Sequence, residues 1–236
     1  GIYGNEDPMY ILAGLPFIAP DYSSAWLLKD VQMEYLQEKF AKKGLMILYT
    51  APWPGQGFYT KFPVNSVSDF KGKKLRIYST ATQQMGSMLG FNATILPFAE
   101  IPQAFSTGLI EALFTSPQTG IDIQAWDNTK HFTYAGAIFS KNAVVVTKKA
   151  FNALSKGDQS NILAAAKRAE LRGWEMSAET TKKQIGILKK NGMSSKNAPD
   201  EVISKMKSIG LEMMKNWRSK ASPEANAVLD RYLSMR

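Results

Sequence analysis

From Phe151 to Asn191 the apolar residues keep a helical spacing, interrupted only by Gly173 and Gly186, before Asn191-Gly192 closes the run. Asp158 is expected to cap this helix, which at ~1.5 Å per residue would extend about 50 Å. A small domain is narrower than that, so one helix is expected to belong to two lobes at once. Any fold for these 236 residues must be arranged around it.

Ahead of it the pattern changes repeatedly. Ile11–Pro20 is a short apolar stretch closed by prolines, expected as strand or buried loop. Asp21 and Ser23-Ser24 offer N-cap chemistry for a helix over Trp26–Lys42, and Gly44 offers its C-cap. Leu45–Thr50 reads as a buried strand, and Pro52-Trp53-Pro54-Gly55-Gln56-Gly57 as a loop without regular structure. Asp69-Phe70-Lys71-Gly72 is a turn before a strand at Lys74–Tyr78; a helix at Thr80–Leu89 stops at Gly90. Ala93–Leu96 and Leu109–Phe114 are further strands, separated by a helix at Pro97–Thr107 with Glu100 in its first turn. Strand and helix alternate over 45–116, which predicts a parallel sheet covered by helices. Beyond lie a helix at about Gly120–Lys130, a β-rich run Phe132–Thr147, and amphipathic helices at Asp200–Ser219 and Pro223–Met235.

Composition excludes several functions. Without cysteine there are no disulfides, thiolate metal sites or cysteine nucleophiles. The net charge of +9 comes from scattered lysine pairs such as Lys42-Lys43 and Lys189-Lys190. That is a solvated exterior able to draw in an anion, and no nucleic-acid module accompanies it. No window nears the ~18–20 consecutive apolar residues of a membrane span. No Gly-x-Ser-x-Gly elbow, phosphate-binding loop or His-Glu-x-x-His appears, and His131, the single histidine, reads as structural. Neither a metal nor another cofactor is expected.

Asp69-Phe70-Lys71-Gly72-Lys73-Lys74-Leu75-Arg76-Ile77 is followed by Gly90-Phe91-Asn92-Ala93-Thr94, Pro97-Phe98-Ala99-Glu100-Ile101 and Ala104-Phe105-Ser106-Thr107-Gly108-Leu109-Ile110-Glu111-Ala112. In that order, with an overlong helix after them, these segments resemble the DctP-type family of TRAP transporter solute-binding proteins. The resemblance implies an α/β, two-lobed periplasmic-binding-protein-like fold, with the long helix bridging both lobes and a cleft that closes on its ligand. It implies lobe I from 1–53 plus 142–181, incomplete because the family's N-terminal segment is absent. Lobe II is expected from 54–141 plus 182–210, with 211–236 as C-terminal helices packing across both. It further implies a periplasmic monomer that captures a small organic acid and delivers it to the permease subunits of a TRAP transporter.

Arg76 is the first candidate for ligand binding. In the family this arginine pairs with the solute's carboxylate, and a planar guanidinium matches a carboxylate bidentately without losing its proton. The C-terminal half of a parallel strand is also where α/β sheets hold ligands. Gln56 stands near the position where many members carry a second arginine, and Thr115-Ser116-Pro117 replaces their Glu-Asn-Pro. These neutral replacements point away from dicarboxylates, toward a bulkier, aromatic or branched monocarboxylate. Trp53 and Tyr59 would form flat walls and Ser116 a polar contact, with Trp126 at the floor. Trp53 suits core packing equally well, and Phe58, Trp174 and Trp217 read as core. Asp127 reads as a cap or hinge contact, and Tyr3, Asn5 or Glu6 could reach the cleft. The competing function is a cleft enzyme, a transferase or isomerase anchoring a small carboxylate substrate, which would need a general base beside it.

Overall fold

A computed structural model describes residue 4 and residues 6–236 of the chain. A 3-10 turn at Pro8–Gly14 leads into α1 (Tyr22–Lys42), then β1 (Leu45–Pro52), β2 (Gly57–Thr60) and β3 (Lys74–Ile77). Next come α2 (Thr80–Met88), β4 (Asn92–Ile95), α3 (Ile101–Ser106), β5 (Ala112–Thr115) and α4 (Pro117–Asp122). The second half runs β6 (His131–Tyr134), β7 (Lys141–Thr147), α5 (Lys148–Asn152), α6 (Lys156–Lys190), β8 (Ser194–Asn197), α7 (Asp200–Lys220) and α8 (Pro223–Met235).

The strands form two sheets. One has six strands in the order β4-β3-β5-β2-β6-β8, and in the other β1 pairs antiparallel with β7. β3 is parallel to both β4 and β5, as the alternation predicts, but β2 runs antiparallel between β5 and β6. β1 therefore does not open the parallel sheet. The segment after Pro52 carries the chain from one sheet to the other, and 135–140 carries it back alongside. Trp53 N–H donates to the Ser140 carbonyl (2.8 Å) and Gly136 N–H to the Gln56 carbonyl (2.9 Å), tying these two crossings together.

β2 shows why the middle of the larger sheet is buried on both faces while its edge strands β4 and β8 stay largely exposed. Its period of two sends Phe58 into one core, against Phe70, Phe91 and Phe114, and Tyr59 into another, against Phe132. All four β2 residues are buried, so the strand shows none of the alternation that marks a half-exposed one.

α6 spans 35 residues, about 50 Å, and packs on β1 near its middle and on β8 near its end. Ser155, rather than Asp158, is its N-cap: the Ser155 hydroxyl accepts from Asp158 N–H (3.1 Å) and donates to the Asp158 carboxylate (2.7 Å). The expected helix at 120–130 is broken. Gln124 takes a left-handed conformation (φ +49°), so α4 ends at Asp122 and a separate 3-10 turn follows at Ala125–Asp127.

Ile11–Pro20 opens within a 3-10 turn instead of a strand, because Asp7 caps the turn through Met9 N–H (2.9 Å). Buried Asp7 also accepts from the Tyr35 hydroxyl (2.9 Å) and pairs with Lys39 (2.8 Å). Burial pushes its carboxyl up, yet these contacts outweigh it and hold the pKa below the ordinary 3.8. A depressed carboxylate stabilises the fold above its unfolded pKa and stops doing so as pH falls through the folded one. Asp7→Asn is expected to cost about 1–3 kcal/mol at pH 7 in denaturant melts, and less at pH 3. An equal cost at both pH values would contradict this role.

Candidate solute-binding site

A cavity of about 490 Å³ opens where the C-terminal ends of β3 and β5 face α1, the first 3-10 turn and the β1–β7 sheet. On β3, Leu75 and Ile77 enter the larger core, and Arg76 between them points the other way. Arg76 is only 4% exposed. Its Nε donates to the Leu96 carbonyl (3.1 Å), and its terminal nitrogens make no hydrogen bond or ion pair among the described residues. Burial lowers its pKa to about 10, with Tyr78 acting the other way, so it stays cationic at neutral pH. A buried, unpaired guanidinium is costly unless an anion arrives to satisfy it.

From Arg76 a polar path crosses the cavity wall. The Tyr78 hydroxyl donates to Gln56 Oε1 (2.8 Å), and Gln56 Nε2 donates to Ser140 Oγ (3.1 Å). Burial drives the Tyr78 hydroxyl up to about 12, partly offset by Gln56, so it remains a donor. Next to Ser140, the partly buried Lys141 donates from Nζ to Gln32 Oε1 on α1 (2.8 Å). Burial lowers its pKa to about 8, helped by the nearby charge of Lys29.

Among the described residues no Asp or Glu lines the cavity. The acids behind it are already engaged. Glu170 of α6 accepts from Thr50 N–H (2.9 Å) and Thr50 Oγ1 (2.6 Å) and faces Lys29 (3.4 Å), which also pairs with Asp30 (2.6 Å). Two cations, Arg76 and Lys141, line this space without a facing carboxylate among the described residues, which leaves its field positive. Trp53, Tyr10 and Phe98 add apolar surface to it.

Of the residues singled out from sequence, Arg76, Gln56, Trp53 and Ser116 line this cavity; Tyr59 and Trp126 do not. Tyr59 is fully buried in the smaller core, its hydroxyl donating to the Ser116 carbonyl (3.2 Å). It lies so close to Gly120 that a Cβ there would overlap its ring. Trp126 packs on the same smaller core, carried there by the break at Gln124. The Ser116 hydroxyl caps α4 by accepting from Thr119 N–H (3.2 Å).

Phe58, Trp174 and Trp217 are core residues; Trp174 Nε1 donates to Thr50 Oγ1 (3.2 Å) and Trp217 Nε1 to the Pro8 carbonyl (2.6 Å). Asp127 is exposed, as is Glu6, which pairs with Lys43. Tyr3 and Asn5 lie outside the described residues. Tyr78, Ser140 and Lys141 were not singled out. The available signal was Lys141 itself, a charged residue heading the apolar run 142–147.

The family model for DctP, bacterial extracellular solute-binding protein, family 7, matches residues 2–220. The chain belongs to this DctP family. Two Bordetella pertussis extracytoplasmic solute receptors described as binding pyroglutamic acid, DctP7 and DctP6, superpose with TM-scores of 0.95 and 0.94. They are 36% and 37% identical over 98% of this chain, which spans 76% and 77% of theirs. A marine metagenome TRAP solute-binding protein in complex with pyroglutamate gives 0.93 at 32% identity, over 98% of this chain and 76% of that one. A Chromohalobacter salexigens solute-binding protein is 25% identical over 194 residues, 78% of this chain. The match spans 57% of that relative's length. The three solved relatives share the mixed α/β fold that is built here around the long α6.

Proposed function

We propose that this chain captures a small carboxylate of the pyroglutamate type in the periplasm and hands it to the permease subunits of a TRAP transporter. One observation carries the reading: among the described residues, buried Arg76 has no acidic partner and no acid lines its cavity. The solute's carboxylate would take both terminal nitrogens of Arg76. Trp53, Gln56 and Ser116 would contact the rest, Gln56 through an amide already oriented by Tyr78 and Ser140. Kinship with three solved proteins associated with pyroglutamate, all above 30% identity, favours a compact ring over a larger aromatic solute.

The lobe division of 1–53 with 142–181 against 54–141 with 182–210 belongs to the same reading. β1 and β7 fall in the first group but for Lys141, and the six-stranded sheet in the second. The paired crossings at 53–56 and 135–140 would then serve as the hinge, with α6 spanning it.

Titration with L-pyroglutamate tests the proposal. At about 100 times its Kd the solute should stabilise the protein by ~2.7 kcal/mol, a rise in Tm of roughly 5–10 °C. The acid should be recovered unchanged. Silence toward a panel of organic acids would end the transport reading, and conversion of the bound acid would favour the cleft enzyme.

A further inference from the structure

We propose that Lys141 is a second ligand-contacting cation, presented by the opposite sheet from Arg76, which selects carboxylates carrying another oxygen acceptor such as a lactam carbonyl. This deepens the pyroglutamate reading and rests on it. Arg76 comes from β3 of the six-stranded sheet and Lys141 from β7 of the two-stranded one, and both line the same cavity. Lys141 Nζ spends one donor on Gln32 Oε1 (2.8 Å) and has no acidic partner among the described residues. An ammonium carries three donors, so hydrogen-bonding capacity remains for a ligand. Gln32 is itself fixed, its Nε2 directed at the Met9 carbonyl (3.4 Å) and sulfur (3.2 Å), so the lysine is anchored to α1 rather than free to swing into solvent.

A ligand whose carboxylate meets Arg76 and whose carbonyl meets Lys141 would bridge the two sheets. The titratable groups lining the cavity are Tyr10, Arg76, Tyr78 and Lys141. Behind it Lys29 on α1 is paired with Asp30 and with Glu170 on α6. Both phenols sit above their ordinary value of 10 and Arg76 near 10. Among those four, Lys141 is therefore the one whose charge changes near pH 8. An accepting oxygen favours the ammonium form, so binding is strongest below that pH and weakens above it as the proton is lost.

Calorimetry on the purified protein separates the possibilities, using L-pyroglutamate and cyclopentanecarboxylate, which keeps a five-membered ring and the carboxylate but has neither the lactam carbonyl nor the lactam N–H. Wild type should prefer pyroglutamate by about 10- to 100-fold at pH 7. Its pyroglutamate affinity should fall as pH rises from about 7 to 9, tending toward 10-fold per pH unit. In Lys141→Met the preference should shrink to within about twofold and the pH profile should flatten, and Lys141→Arg should restore part of the preference. Equal affinity for both acids in wild type, or a preference and pH profile that survive in Lys141→Met, overturns the role of Lys141 and leaves the carboxylate reading standing. Failure of wild type to bind either acid overturns both. If Lys141→Met does not fold, Lys141→Arg and the pH profile of wild type still decide.

Discussion

Replacing Arg76 with methionine is expected to weaken pyroglutamate binding by about 2–5 kcal/mol, roughly 30- to 5,000-fold, while leaving the unliganded protein at least as stable. Both halves follow from the same geometry. Arg76 is 4% exposed and has no acidic partner among the described residues, so the unliganded protein bears its desolvation with one hydrogen bond to Leu96 in return. Methionine keeps much of the volume and removes that cost. The bound state instead loses a bidentate contact that leaves the ligand's carboxylate facing apolar atoms. Lysine at the same position restores the charge but not the planar fork, so Arg76→Lys should recover only part of the affinity. A variant binding pyroglutamate like wild type would discard the site. A sharp drop in its unliganded Tm would show that Arg76 serves the fold instead.

Phe58→Ala is expected to produce the largest loss of stability, about 3–5 kcal/mol in denaturant unfolding. Phe58 is fully buried, with its ring 4.9 Å from Phe70 and from Phe114 and 5.8 Å from Phe91. Removing it opens a void at the centre of the larger sheet, where strands on either side limit collapse. Phe58 faces the core and not the cavity, so pyroglutamate affinity at low temperature should change little in the molecules that remain folded. A loss below 1 kcal/mol would mean that this aromatic cluster repacks freely.

Helices declare themselves in this sequence better than sheets do. α1, α2, α7 and α8 follow from apolar spacing and from caps such as Asp21, Gly44 and Gly90, because a helix satisfies its backbone within its own segment. α6 was legible for the same reason, though its first turn belongs to Ser155. β2 and β8 were not foreseen. Each has four residues, and what makes them strands is hydrogen bonding to β5 and β6 from distant parts of the chain. The departure of β1 from the parallel sheet was likewise invisible, since local pattern does not name a strand's partner.

The candidate site divides in the same way. Arg76, Gln56, Trp53 and Ser116 lie at strand ends or in the Pro- and Gly-rich segment beside them, where family resemblance and chemistry agree. Tyr59 falls outside the cavity because adjacent strand residues point to opposite faces, and which face meets the cavity depends on the sheet's position. Trp126 falls outside it because the helix breaks at left-handed Gln124, which local apolar spacing does not signal. Lys141 escaped because its meaning depends on Gln32, 109 residues earlier in the chain.

A crystal structure of the protein grown with L-pyroglutamate is the most direct test. The ligand's carboxylate should lie within about 3 Å of both terminal nitrogens of Arg76, inside the cavity that Trp53 and Gln56 line. Ligand bound elsewhere on the molecule, or in this cavity with Arg76 turned from its carboxylate, would contradict the central claim.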